Sequence, residues 1–296
     1  MKSGFVAIIG RPNVGKSTIL NALMAKKVSI VADKAQTTRN NIKGIYHGKD
    51  VQIVFVDTPG IHKPKQKLGE ELDKMAYSAM EEVDAVILVV DASLNFGPGD
   101  EFLLEKIKDV NAPIFVVYNK IDRTDIIKIT KLKETYADKL PNAKFIETVA
   151  TETFNIDELL KNIIEILPDG PAYYEEDTIT DKDVIFQIKE VIREKALRIL
   201  RDEVPHSIAV YMNNIEWEEN PISINATIVV EKESQKGIVI GAGGKRIKDI
   251  GSKARKDIEQ ILKKHVYLEL FVRVEEDWRN QEKSLKTFGY KTDKRN

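Results

Sequence analysis

Gly10-Arg-Pro-Asn-Val-Gly-Lys-Ser17 decides how this chain is read. An apolar run at 5–9 precedes it and a helix-like segment at 18–26 follows. Strand, glycine loop and helix supply the context that the pattern G-x-x-x-x-G-K-[ST] needs. The glycines, Gly10 and Gly15, let backbone N–H groups curl round an anion, and the helix N-terminus adds its partial positive charge. Lys16 is placed to neutralise the β- and γ-phosphates of a nucleotide, and the Ser17 hydroxyl to bind Mg²⁺. Asn13, Val14 and Thr18 complete the loop and first turn that face the phosphates. An ordinary glycine-rich turn would not require both glycines, the lysine and the serine at these offsets. The stretch is a phosphate-binding loop.

Outward from it, a chain of 296 residues is long enough for two domains. The formal net charge of −1 excludes a global field toward nucleic acid, so any such site is a local patch. Cysteine is absent, which excludes disulfides, thiolate metal sites and thiol catalysis. No run approaches the roughly 18 apolar residues of a membrane span, and no secretory signal opens the sequence. The expected location is the cytoplasm.

After the short run 28–31, residues 32–41 are polar and aperiodic, which predicts a loop. Its threonines, Thr37 and Thr38, stand where a nucleotide-sensing switch completes a Mg²⁺ shell in the presence of a γ-phosphate. Two strands at 42–46 and 51–56 follow, the second ending in Asp57-Thr-Pro-Gly60. An aspartate at that strand end can hold Mg²⁺, and Gly60 leaves its N–H free to approach the γ-phosphate. A helix at 69–82, an apolar strand at 84–91 and a helix at 101–108 lead to a strand at 113–118. That strand delivers Asn119-Lys-Ile-Asp122. The Asp122 carboxylate can accept two hydrogen bonds from guanine N1–H and its 2-amino group, which adenine does not offer. Asn119 can secure the other edge of the ring, and the Lys120 stem can lie along its face. Such paired groups reject the wrong base strongly. A strand at 145–149 and a helix at 156–167 close this half. Alternation of this kind predicts a mostly parallel sheet with helices on both faces and ligands beyond its C-terminal edge.

Pro168-Asp-Gly-Pro171 stops the helix, and the acidic stretch that follows predicts a linker over 171–182. The second half predicts a helix at 183–201, strands at 207–217 and 223–231, and an apolar run ending in the turn Gly241-Ala-Gly-Gly244. Two helical stretches within 245–263, broken near Gly251, and a strand at 267–274 complete it. Between Gly237 and His265, eight lysines and arginines face three acids, a local charge of +5. Glycines at the turn permit close backbone approach, and the helix that follows favours phosphate. Lys245 is followed by Arg246 and not by serine or threonine, so this is no second nucleotide loop.

On these motifs the first half resembles a translation-factor-class GTPase, and the whole chain is similar to the bacterial Era GTPase family. The resemblance assigns Gly10 to Ser17 to the first G motif, Thr38 rather than Thr37 to the second, Asp57 to Gly60 to the third and Asn119 to Asp122 to the fourth. The fifth falls at Val149-Ala150, with valine in place of a serine, leaving the Ala150 N–H to reach the guanine oxygen. Ile61 occupies the position where many GTPases carry a water-orienting glutamine, and Arg39 is the nearest cis arginine. The resemblance therefore implies slow hydrolysis, with Lys16, Thr38, Gly60 and Asn13 as the catalytic set and Asn13 helping to hold K⁺. Ser17, Thr38 and Asp57 would hold Mg²⁺.

The frame from Val239 to Ile247 matches a type II KH domain, whose G-x-x-G turn clamps single-stranded RNA. It implies RNA contact by Gly241, Ala242, Gly243, Gly244, Lys245, Arg246 and Lys248. The implied fold is an α/β P-loop GTPase domain at 1–170, the linker, an α+β type II KH domain at 183–285 and a polar tail at 286–296. The implied activity is GTP hydrolysis to GDP, with the 3′ end of 16S rRNA and the 30S subunit as partners. DNA is not expected, and membrane contact would be weak and peripheral at the inner membrane. A non-enzymatic RNA-binding protein with structural nucleotide, and a membrane-recruited signalling GTPase, are the alternatives.

Overall fold

The computed structural model describes residues 1–34 and 36–291, and among these nine strands and nine α-helices form two compact units. The first unit comprises 1–31, 38–65 and 69–181; the second takes in 32–37, 66–68 and the chain from 182 onward.

In chain order the first half runs β1 (Lys2–Gly10), α1 (Lys16–Leu23), β2 (Ile42–Gly48), β3 (Val51–Asp57), α2 (Lys67–Ser78) and β4 (Ala85–Asp91). It continues with α3 (Pro98–Ile107), β5 (Ile114–Asn119), α4 (Ile126–Lys139), β6 (Lys144–Thr148) and α5 (Ile156–Ile166). The sheet order is β2-β3-β1-β4-β5-β6, parallel throughout except for the β2–β3 hairpin. Period-two alternation explains its two cores. Val6 and Ile8 of β1 meet Leu20 of α1 and Leu159 of α5, while Ala7 and Ile9 meet Leu103 of α3 and Leu132 of α4. Each such fully buried side chain contributes roughly 1.5–3 kcal/mol. The sheet ends that these cores fix are the ends of β1, β3 and β5, where Gly10, Asp57 and Asn119 stand together.

Helix α4 is absent from the sequence reading, although its signal is present. Asp125 caps it by accepting the Lys128 N–H at 2.9 Å, and Ile129, Leu132 and Tyr136 bury one stripe. Exposed Ile126 and Ile127 blur that stripe. Residues 28–31 form no strand.

Nor is 171–182 a free linker. Gln52 of β3, 1% exposed, accepts the Tyr173 and Tyr174 N–H groups and donates to the Tyr174 carbonyl. Beyond it, Thr180 bridges to Gly44, the Ile45 N–H donates to the Ile179 carbonyl and the Lys43 N–H donates to Asp181. The stretch thus straps itself along the free edge of β2, covering backbone groups that an edge strand leaves unpaired.

The second unit runs α6 (Val184–Ile199), β7 (Ala209–Glu216), β8 (Ile222–Val230), α7 (Glu233–Ile240), α8 (Lys245–Leu262), β9 (Val266–Val274) and α9 (Glu282–Thr287). Its sheet is β7-β8-β9, antiparallel then parallel. The apolar run before the glycine turn is part of α7. Gln235 in its first turn accepts the Glu231 and Lys232 N–H groups, a local start signal that the run 237–240 hides. Helix α8 continues through Gly251, because Ile250, Ala254 and Ile258 bury one stripe across it. The expected tail at 286–296 begins too early. Phe288 and Tyr290 are buried and pack on Trp278, with ring centroids 5.3 and 5.9 Å away. The rest of that tail, 292–296, lies outside the described residues.

Gln52→Ala leaves three backbone groups of the strap without their partner. We expect a loss of about 2–3 kcal/mol in urea unfolding. Limited proteolysis should cut within 171–181 faster than in the parent protein; equal rates would show that the strap is held by other contacts.

Candidate functional site

The first unit gathers the loop Gly10 to Ser17, the Asp57 turn and the Asn119 turn at one sheet edge. Four loop carbonyls are tied inward. Lys16 Nζ donates to Gly10 O at 3.1 Å and Arg11 O at 2.9 Å, Lys120 Nζ to Asn13 O at 2.7 Å, and Asn119 Nδ2 to Val14 O at 2.9 Å. A peptide whose carbonyl is held inward turns its N–H the other way, so the peptides after Gly10, Asn13 and Val14 present donors outward to an anion, while the one after Arg11 ends in Pro12 and has none. Gly15 lies at φ +103°, and a Cβ there would stand 2.2 Å from Asn119 Nδ2. Gly60 must also be glycine, since a Cβ would meet the Pro12 backbone at 2.7 Å.

Asn119 has a structural job beside the one read in the sequence. It is 3% exposed, and its Oδ1 accepts the Ala150 N–H at 3.0 Å and the Thr148 hydroxyl at 3.3 Å. It is a strut joining the phosphate loop to the end of β6, with one Nδ2–H used on Val14 O and the second left for the base edge. The Ala150 N–H expected at the guanine oxygen donates to Asn119 in this structure. Thr148 supplies a hydroxyl one residue before Val149. Asp122, in the turn Ile121–Arg123, leaves its carboxylate 40% exposed with Arg123 Nε 3.8 Å away, open to a base.

Ser17, Thr38 and Asp57 meet. Asp57 Oδ2 accepts the Ser17 hydroxyl at 2.6 Å and the Thr38 hydroxyl at 3.4 Å, and the two hydroxyls lie 2.8 Å apart. Thr37 turns away, its hydroxyl donating to the Lys34 carbonyl, while Arg193 of α6 donates to its main-chain carbonyl within the second unit. Thr38 is thus the site threonine. Ser29 is a member that sequence reasoning missed: its hydroxyl donates to Asp57 Oδ2 at 2.8 Å, but it sits in an unremarkable run with no motif. Thr58 likewise pins the turn to the Ile8 carbonyl at 2.8 Å.

Asp57 is fully buried, and its Oδ1 accepts no hydrogen bond from any described residue. An orphaned carboxylate oxygen beside two hydroxyls fits a hard divalent cation such as Mg²⁺. Among the described residues no cluster of three or more His, Asp or Glu is arranged for a metal. One carboxylate and two hydroxyls suit an ion that takes its remaining ligands from phosphate and water. Burial pushes the Asp57 carboxyl up, opposed by the Ser17 hydrogen bond and by Lys16. Burial pulls Lys16 down to about 8, with Asp57 resisting.

Two expectations change at the catalytic edge. Arg39 is 1% exposed and is not available as a mobile finger. Ile61 is 0% exposed in the core between the sheet and α2, and its side chain has no polar group to orient a water. Asn13 stays exposed at φ +65°.

In the second unit Gly241, Gly243 and Gly244 have φ of +70°, +58° and +76°, and a Cβ at either of the last two would meet nothing within 4 Å. Their backbone is open to a ligand. Lys245 and Lys248 are exposed beside it with Ala242. Arg246, expected on phosphate, donates to the Ile238 carbonyl and caps the end of α7.

Two family models match the chain: a 50S ribosome-binding GTPase at residues 5–120 and a KH domain at 203–279. GTPase Era of Alkaliphilus metalliredigens is 47% identical over 291 residues, covering 98% of this chain and 99% of that protein. Among solved structures, Era in complex with MgGDPNP and nucleotides 1506–1542 of 16S ribosomal RNA has a TM-score of 0.94 at 41% identity, covering 98% of this chain and 99% of that one. A tyrosine-to-alanine variant of Aquifex aeolicus Era bound to GDP and aluminium fluoride has a TM-score of 0.93 at 41% identity, with the same coverage of both chains.

Lys16 gives a prediction with a definite sign. Its folded value lies below the ordinary 10.5, so the free protein binds fewer protons than the unfolded chain between pH 8 and 10.5 and gains stability as pH rises through that window. Nucleotide phosphates restore the charge. Binding of GDP should take up about half a proton at pH 8 and more at pH 9. Calorimetry in buffers of different ionisation enthalpy measures this, and Lys16→Met should take up none.

Proposed function

We propose that this chain, which belongs to the Era family of GTPases, is a guanine-nucleotide switch that binds the 3′ end of 16S rRNA and serves maturation of the 30S subunit. The observation that carries this reading is the meeting of Ser17, Thr38 and Asp57, a switch threonine on a phosphate-loop site, in a chain that also exposes a G-x-x-G backbone.

Loop N–H groups and Lys16 bind the β- and γ-phosphates, and Asp122 reads guanine. Ser17, Thr38 and Asp57 would hold Mg²⁺, which when bound neutralises charge on the phosphate oxygens. The Gly60 N–H faces the γ-phosphate. With Ile61 buried and Arg39 enclosed, neither position supplies a water-orienting amide or a finger, and hydrolysis by the chain alone is slow. K⁺ held with the help of Asn13 takes the place of the finger. Turnover should be several-fold faster in K⁺ than in Na⁺, and Asn13→Ala should shrink the difference; equal rates remove the cation.

RNA lies against Gly241, Ala242, Gly243 and Gly244, with Lys245 and Lys248 neutralising its phosphates. The place of action is the cytoplasm, with a weak peripheral contact at the inner membrane through the same basic face. Gly244→Asp puts a carboxylate where RNA approaches. It should weaken binding of single-stranded RNA at least tenfold at physiological salt, with GTP turnover retained. A filter-binding titration of the full chain, with anionic vesicles as the second arm, tests this. Unchanged RNA affinity overturns the RNA assignment.

A further inference from the structure

Asp91 ends β4 directly beside Asn119 in the β4–β5 register. It is 8% exposed and belongs to none of the nucleotide motifs. Its Oδ2 accepts Lys120 Nζ at 2.6 Å, and its Oδ1 accepts the Ser93 N–H at 3.0 Å and hydroxyl at 2.6 Å. The carboxylate is therefore oriented on one side and pairs with the motif lysine on the other. Burial alone would push the Asp91 carboxyl up; the bonds from Lys120 and Ser93 outweigh it and hold the group below its usual range.

Lys120 stands at a junction. Its backbone is left-handed, φ +65°, and opens the turn that carries Asp122. The same Nζ that binds Asp91 also donates to the Asn13 carbonyl. Asn13 is itself left-handed, so a single ammonium holds two strained backbone positions in register. A lysine side chain has several rotors, and a contact with one carbonyl alone would leave much of that freedom. A buried carboxylate on the opposite side removes it. Lys128 adds a further anchor behind the site, with Nζ 2.5 Å from the Ser93 carbonyl.

We infer that Asp91 is a positioning residue for guanine nucleotide: through Lys120 it locks the base-reading turn to the corner of the phosphate loop. The two ends of the nucleotide are thereby gripped as one rigid unit. It rests on the guanine-nucleotide reading above, and GDP binding by the parent protein tests that reading separately.

The experiment is release of fluorescent GDP from the full chain, followed by stopped flow. Asp91→Asn keeps the shape and the Ser93 contacts but removes the charge. Release should quicken roughly tenfold, the size of one charge-assisted hydrogen bond. Preference for GDP over IDP, which lacks the 2-amino group, should fall as the turn loosens, while the melting temperature without nucleotide stays close to the parent's. In a double-mutant cycle, Lys120→Ala and Asp91→Asn should not add, because one acts through the other. Ser93→Ala removes only the orienting bond from a hydroxyl and should move release the same way by less; it decides the matter if Asp91→Asn does not fold. Unchanged release in both variants overturns the inference. So does full additivity with Lys120→Ala, or a melting temperature that falls while release and base preference do not move.

Discussion

Everything at the nucleotide site depends on where the phosphate loop's carbonyls point. A glycine loop has no intrinsic reason to present all its N–H groups to one side. Here Lys16, Lys120 and Asn119 hold the carbonyls of Gly10, Asn13 and Val14, and the N–H groups of Arg11, Val14 and Gly15 in the same peptides must face the other way. The tie from Asn119 to Val14 is fully enclosed, where an unmade hydrogen bond costs about 1–3 kcal/mol. Asn119 also reaches β6, so the loop inherits the rigidity of a six-stranded sheet.

The charges in that frame are set against each other by burial. Lys16 and Asp57 are both enclosed, and desolvation works against the charged form of each. Their mutual attraction and the hydroxyls of Ser17, Ser29 and Thr38 offset only part of that cost. Phosphate and a divalent cation would supply the charges each lacks, so a site of this kind gains more from binding than its exposed surface suggests. Thr38, the proposed switch threonine, contributes one of these hydroxyls, and the residues just before it, 32–37, group with the second unit. Thr37 and Thr38 are one peptide bond apart yet serve different units.

How far the sequence could be read follows from what each motif encodes. The four nucleotide motifs were legible because glycines, lysine and carboxylates at fixed offsets leave few alternative explanations. The strut made by Asn119 was not, since contacts to Val14, Thr148 and Ala150 leave no spacing signal in sequence. Ser29 was invisible for the same reason: a lone serine carries no spacing. In the second unit, α7 was mistaken for an apolar run because Ile238 and Ile240 flank buried Val239, a pattern that periodicity cannot divide between helix and strand over so few residues. Gly251 suggested a break that packing against Leu270, 3.5 Å from where its Cβ would stand, makes unnecessary. The strap at 171–181 looked like a linker because its partner, Gln52, lies far away in sequence.

In the proposed switch, nucleotide state and RNA binding are one equilibrium. Titration of fluorescent single-stranded RNA carrying the 16S 3′-end sequence against the full chain, once with a non-hydrolysable GTP analogue and once with GDP, tests it directly. RNA should bind more tightly with the GTP analogue, by a factor of about 5 to 150, and the difference should vanish in Thr38→Ala. Affinities that coincide in the two nucleotide states would contradict it.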